Sequence, residues 1–156
     1  MKIAKCTPAI GAELLDVDMS HPFSLASADY IHAALMESLV VFIRGMALKP
    51  ADHLEFARAF GQLDVPHPHY PHVDGHDQIV VLENDKDNPP DTNSWHTDLT
   101  FKSEQPFASI LVARKVPPTG GDTLWSSCYA AFDRLPDGLK RDLKELYAVH
   151  DFGDFR

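Results

Sequence analysis

The segment Trp95-His96-Thr97-Asp98-Leu99-Thr100-Phe101 places an imidazole and a carboxylate two positions apart. On an extended backbone alternate side chains share a face, so His96 and Asp98 can offer one nitrogen and one oxygen to a single metal ion. With a second, distant histidine they would form the two-His-one-carboxylate set that holds non-haem Fe(II) on one side and leaves positions open for cosubstrate and oxygen. Iron would supply the redox step, while the protein orients the substrate and excludes other reactions. The same spacing recurs at His72-Val73-Asp74, in a turn-rich stretch between Pro71 and Gly75, so spacing alone selects neither pair. Trp95, Leu99 and Phe101 can pack around the His96 pair and fix its direction, which favours it. A partly buried ion pair or two solvated loop residues would show the same pattern.

The elements that must position these residues are readable in outline. Ser27 is predicted to cap a helix with Ile31, Leu35 and Leu39 on one face, followed by a buried strand Val40-Val41-Phe42-Ile43 and the break Arg44-Gly45. A second helix starts at Pro50, presents Phe56 and Phe60, and stops at Gly61. From Asp64 to Asp77, Pro66, Pro68 and Pro71 alternate with His67, His69 and His72 around Tyr70, which denies regular helix and predicts an extended loop. Gln78 to Glu83 reads as a core strand, and a polar segment with Pro89-Pro90 leads to Trp95. Further strands are predicted at Phe107–Ala113, Thr123–Trp125 and Tyr147–Phe152, with a helix carrying Leu139, Leu143 and Leu146 after Pro136. Short strands with Gly/Pro turns, preceded by helices, predict an α+β, mainly β, jelly-roll-like pair of sheets under helical cover.

Composition narrows the partners. A chain of 156 residues suits one domain spanning 1–156. Fourteen basic against 23 acidic residues leave a net charge of -9 with no dense Lys/Arg run, which argues against nucleic acid. The aliphatic runs are too short to cross a bilayer and the N-terminus has no secretory stretch, so no membrane partner is expected and the protein reads as soluble and cytoplasmic. Cys6 and Cys128 lack the spacing of a zinc knuckle or a redox pair, and are expected to be reduced, semi-buried thiols.

Three blocks together carry a resemblance. Asp87-Asn88-Pro89-Pro90-Asp91, then Trp95-His96-Thr97-Asp98 with Thr100-Phe101, then Thr119-Gly120-Gly121-Asp122-Thr123-Leu124-Trp125 occur in the order and spacing of the taurine dioxygenase family of Fe(II)- and 2-oxoglutarate-dependent enzymes. The likeness runs from the N-terminal helix and strand through Phe60-Gly61 and Tyr70-Pro71-His72 to His150-Asp151-Phe152. It implies a double-stranded β-helix, a jelly roll of the cupin type, with N-terminal helices covering the sheet and an incomplete C-terminus. It also implies Fe(II) bound by His96 and Asp98, with 2-oxoglutarate as cosubstrate and O2 as oxidant. Thr123 would donate its hydroxyl to a 2-oxoglutarate carboxylate. His67 and Tyr70 match positions that contact a sulfonate, and Leu99 matches an apolar wall beside the iron. A protonated His67 would add positive charge there. A solvated proline-rich loop, or a zinc site built from His67, His69, His72 and His76, would equally account for that histidine cluster. Thr92 stands at a substrate position where the sulfonate enzymes have Asn, which opens the substrate class to alkyl sulfates and aryloxyacetates.

The implied reaction decarboxylates 2-oxoglutarate to succinate and CO2 and hydroxylates a carbon beside a small anion; with taurine it would release sulfite. A homo-oligomer is the expected assembly. The family also uses a second iron-binding histidine and an arginine for the far carboxylate of 2-oxoglutarate, and neither has a match in this sequence. His150 falls in the His-Asp-Phe strand and Arg156 at the terminus is poorly placed for so fixed a contact. A catalytically inactive family member, acting only in binding or subunit association, is therefore the alternative reading.

Overall fold

A computed structural model describes residues 1–18, 23–46, 48–90 and 94–151. They group into two compact units, one formed by Met1–Leu48 with Leu111–Leu146, the other by Lys49–Ile110 with Tyr147–Arg156.

In the first unit, β1 (Lys2–Lys5), β2 (Ala12–Leu15) and β3 (Val41–Phe42) form a sheet in that order. β1 runs antiparallel to β2 with Lys2 opposite Leu15, and β3 runs parallel to β2 with Ala12 opposite Val41. A parallel pair needs a crossover, which helix α1 (Leu25–Ser38) provides. Ala12 and Leu14 are buried, as are Ala28, Ile31 and Ala34 of α1, which packs on β2 and β3. The predicted face is thus shifted: Ile31 is buried, but Leu35 and Leu39 are half-buried, because the small residues allow the closest approach.

The cap is also corrected. Ser24 has the extended backbone of an N-cap, and its Oγ accepts the Ser27 amide at 3.1 Å, so Ser27 lies inside the helix, buried. The strand expected over Val40 to Ile43 contracts to Val41–Phe42 and is half-buried. Helices α3 (Cys128–Asp133) and α4 (Asp137–Lys144) complete this unit's regular elements, α4 following Pro136 as expected, although Leu139, Leu143 and Leu146 are exposed. Trp125 meets Phe42 edge to face at 5.5 Å. Cys6 and Cys128 are free and exposed, not semi-buried.

In the second unit, α2 (Pro50–Arg58) begins at Pro50, buries Leu54 and Phe56, and sets Phe56 edge to face with Phe60 at 5.1 Å. The stretch expected to stay irregular up to Asp77 instead contains a hairpin, β4 (His72–Val73) and β5 (His76–Val80). Asp74-Gly75 forms its two-residue turn, with Gly75 at φ 69°, and this draws the strand expected over Gln78 to Glu83 towards the N-terminus.

Phe107–Ala113 and Thr123–Trp125 are not strands, nor is the described part of Tyr147–Phe152, which ends at Asp151. A strand is stable only when its backbone groups are paired, and these segments pair with no strand among the described residues. Leu111, Leu124 and Val149 are consequently exposed. No helix among the described residues is long and apolar enough to cross a membrane.

Candidate functional site

His96 and Asp98 meet, although neither lies in a strand: Nε2 of His96 is 3.2 Å from Oδ1 of Asp98. The His96 Nδ1 lies 2.8 Å from the carbonyl oxygen of Ser94, which can only accept, so Nδ1 carries the proton. In the neutral imidazole the lone pair is then on Nε2 and faces the carboxylate oxygen. Two opposed lone pairs need a positive centre between or beside them, either a ring proton or a metal ion. Metal bonds to imidazole nitrogen and carboxylate oxygen run roughly 2.0–2.2 Å, so ligands at right angles sit roughly 3.0 Å apart. The observed separation fits one metal held on one side, and both side chains are at least half exposed, leaving the other side open.

The chain turns immediately after Asp98. Leu99 takes the left-handed conformation at φ 54°, which is costly for a branched apolar residue and so is held by its surroundings. The Lys102 amide donates to the Leu99 carbonyl at 3.1 Å, and Gln105 Nε2 donates to the Thr100 carbonyl at 3.2 Å. Leu99 is half-buried and directly follows Asp98 in sequence. Thr100 Oγ1 lies 2.9 Å from Nδ1 of His150, which places that histidine's ring against the turn.

His67 and Tyr70 are also brought together, their rings 4.6 Å apart. The amides of His69 and Tyr70 donate to Nδ1 of His67 at 3.3 and 3.4 Å, so the neutral ring carries its proton on Nε2, a donor suited to an anionic oxygen. Burial, followed by His69, His72 and Lys102, holds the His67 pKa below its ordinary value, against the opposing pull of Asp64. The expectation that His67 contributes charge by protonation is therefore revised: the loop favours a neutral donor. Asp64, at the start of this loop, pairs with Lys102 at 2.5 Å, and this bond holds its carboxyl below the usual range despite partial burial.

Thr123 belongs to the first unit and is exposed, following the turn formed by Gly120 and Gly121 at φ 77° and 69°. Thr92 lies outside the described residues. In the competing motif, His72 is drawn into β4 while Asp74 forms the turn, and Nε2 of His72 is buried without a hydrogen-bond partner. Among the described residues no group of three His, Cys, Asp or Glu side chains is set to hold a metal ion. Sequence reasoning missed Asp64, Lys102 and the Thr100–His150 contact; their partners lie 38 and 50 positions away, and no local pattern announces them.

The family described as taurine catabolism dioxygenase TauD, TfdA family, matches residues 2–156. An alkylsulfatase of Acinetobacter baylyi is 39% identical over 151 residues, covering 96% of this chain and 47% of the relative. An alpha-ketoglutarate-dependent sulfate ester dioxygenase of Pseudomonas putida is 39% identical over 142 residues, covering 90% and 46%. The crystal structure of a taurine dioxygenase from Burkholderia xenovorans matches with a TM-score of 0.82 at 34% identity, covering 97% of this chain and 53% of that one. The chain thus spans about half the length of the curated relatives it matches. Since the family match runs across nearly the whole sequence, Trp95-His96-Thr97-Asp98 included, the chain belongs to the TauD, TfdA family.

Proposed function

We propose that this chain is part of a single Fe(II)- and 2-oxoglutarate-dependent dioxygenase domain of the double-stranded β-helix type, acting on a small sulfate ester or sulfonate. The observation that carries the reading is the His96–Asp98 pair, 3.2 Å apart with the imidazole lone pair turned to the carboxylate. His96 Nε2 and Asp98 Oδ1 would hold the iron, and Thr123 would donate its hydroxyl to 2-oxoglutarate. Bound iron and 2-oxoglutarate supply the oxygen-activating redox chemistry, one oxygen atom of O2 entering succinate and the other a substrate C–H bond. His67 Nε2–H and the Tyr70 hydroxyl offer hydrogen bonds to the substrate anion, Thr92 stands near it in the family pattern, and Leu99 walls the metal side.

The names of the two relatives at 39% identity favour a sulfate ester over taurine. Hydroxylation of the carbon that bears the ester oxygen gives a hydroxy sulfate that collapses to an aldehyde and sulfate. The test is a chimera in which this chain replaces the matching half of the sulfate ester dioxygenase. It is offered hexyl sulfate, taurine and phenoxyacetate, and succinate release is measured. Hexyl sulfate is expected to couple best; coupling with taurine alone would overturn the sulfate ester in favour of a sulfonate. A folded chimera inactive on all three would favour the second reading, a catalytically inactive binding or association module.

A further inference from the structure

The Asp64–Lys102 pair links two segments that the proposed function uses together. Asp64 opens the loop of His67 and Tyr70, and Lys102 closes the turn that follows Asp98 and Leu99. An exposed ion pair is worth little, because two long side chains lose their freedom to make it. The side chains of this pair are 27% and 40% exposed, against 61% and 60% for Lys5 and Glu37. Both partners are also oriented by their own backbones. Asp64 Oδ1 accepts the Val65 amide at 2.9 Å, leaving Oδ2 for Lys102, whose amide is fixed to the Leu99 carbonyl at 3.1 Å. Pro66, Pro68 and Pro71 restrict the backbone between, so a fixed Asp64 constrains where His67 and Tyr70 stand.

We propose that Asp64 and Lys102 are positioning residues, a clasp that sets the anion-binding donors of His67 and Tyr70 at their working distance from the His96–Asp98 pair. The proposal rests on the reading of His67 and Tyr70 as anion contacts. Lys102 is paired with Asp64 through its ammonium group.

The test uses Asp64→Lys, Lys102→Asp and the double exchange Asp64→Lys/Lys102→Asp in the 156-residue chain. Two quantities are read: hydrogen exchange over residues 65–70 and 99–102, and the affinity for hexyl sulfate, followed by NMR at His67 in the anaerobic Fe(II)-loaded protein. Each single reversal is expected to speed exchange in both segments and to weaken hexyl sulfate binding about tenfold, with the double exchange restoring both. Asp64→Lys adds positive charge, so its weakening of anion binding cannot come from general repulsion of the anion, and restoration by the double exchange then assigns the effect to the pair. Exchange unmoved by the single reversals, or not restored by the double, would overturn the clasp. Exchange that responds while hexyl sulfate affinity does not would overturn its positioning role. A wild-type chain that shows the exchange pattern but binds no hexyl sulfate would overturn the substrate reading, and the positioning role with it.

Discussion

Nδ1 of His67 accepts the amide of Tyr70 at 3.4 Å while the two rings lie 4.6 Å apart, so one proline-bounded loop fixes both the tautomer of the imidazole and its aromatic neighbour. A proton on Nδ1 would break that arrangement, and burial with the nearby His69, His72 and Lys102 already disfavours the charged ring.

His67 should therefore titrate below the 6.5 of an ordinary histidine. In the window between the lowered folded value and the ordinary unfolded one, the unfolded chain binds more protons. The stability tied to neutral His67 is complete above the unfolded value and declines as pH falls through that window. An NMR titration of the ring protons checks the midpoint. Lys102→Met should move it upward, because one depressing charge is lost and Asp64 is left to attract the imidazolium. A midpoint that stays in place, or falls, would contradict this electrostatic picture.

The α1 cap separates two serines that look alike in sequence. Ser24→Ala removes the acceptor of the Ser27 amide and should cost about 1 kcal/mol in urea unfolding. Ser27→Ala keeps that amide and should cost less, although Ser27 is buried. The reverse order would move the cap back to Ser27.

Adjacent glycines should respond differently to a methyl group. Both Gly120 and Gly121 have positive φ, but a Cβ on Gly121 would also come within 3.1 Å of Pro117 Cγ, while one on Gly120 would meet nothing within 4 Å. Gly120→Ala is expected to cost about 1 kcal/mol for backbone strain alone, and Gly121→Ala more. Thermal unfolding of the two variants provides the comparison, and equal losses would mean that the turn relaxes away from Pro117.

The sequence was most legible where a local rule acts without competition. Pro50 and Pro136 mark the starts of α2 and α4 because proline at a helix start forfeits only an amide that has no partner there. The His96-x-Asp98 spacing was legible as a convergent pair, whereas the identical letters at His72 and Asp74 were resolved only by the Asp74-Gly75 turn, which commits His72 to a ladder. Strands at 107–113 and 123–125 were misread because apolar β-branched and aromatic residues report a capacity to pair, and pairing depends on a neighbour that local sequence does not contain. The left-handed Leu99 and the Lys102–Asp64 bond were invisible for a related reason: each is imposed by contacts made far along the chain.

Anaerobic calorimetric titration of Fe(II) into the wild-type chain, His96→Ala, Asp98→Ala and His72→Ala decides whether His96 and Asp98 form a metal-binding pair. Loss of groups that merely orient a metal ligand costs about 10- to 100-fold in affinity, so loss of a ligand itself should cost at least about 100-fold. Weak but measurable binding is expected for the wild type and for His72→Ala, with no detectable heat for the other two. Binding that survives replacement of His96 and Asp98, and disappears with His72, would contradict it.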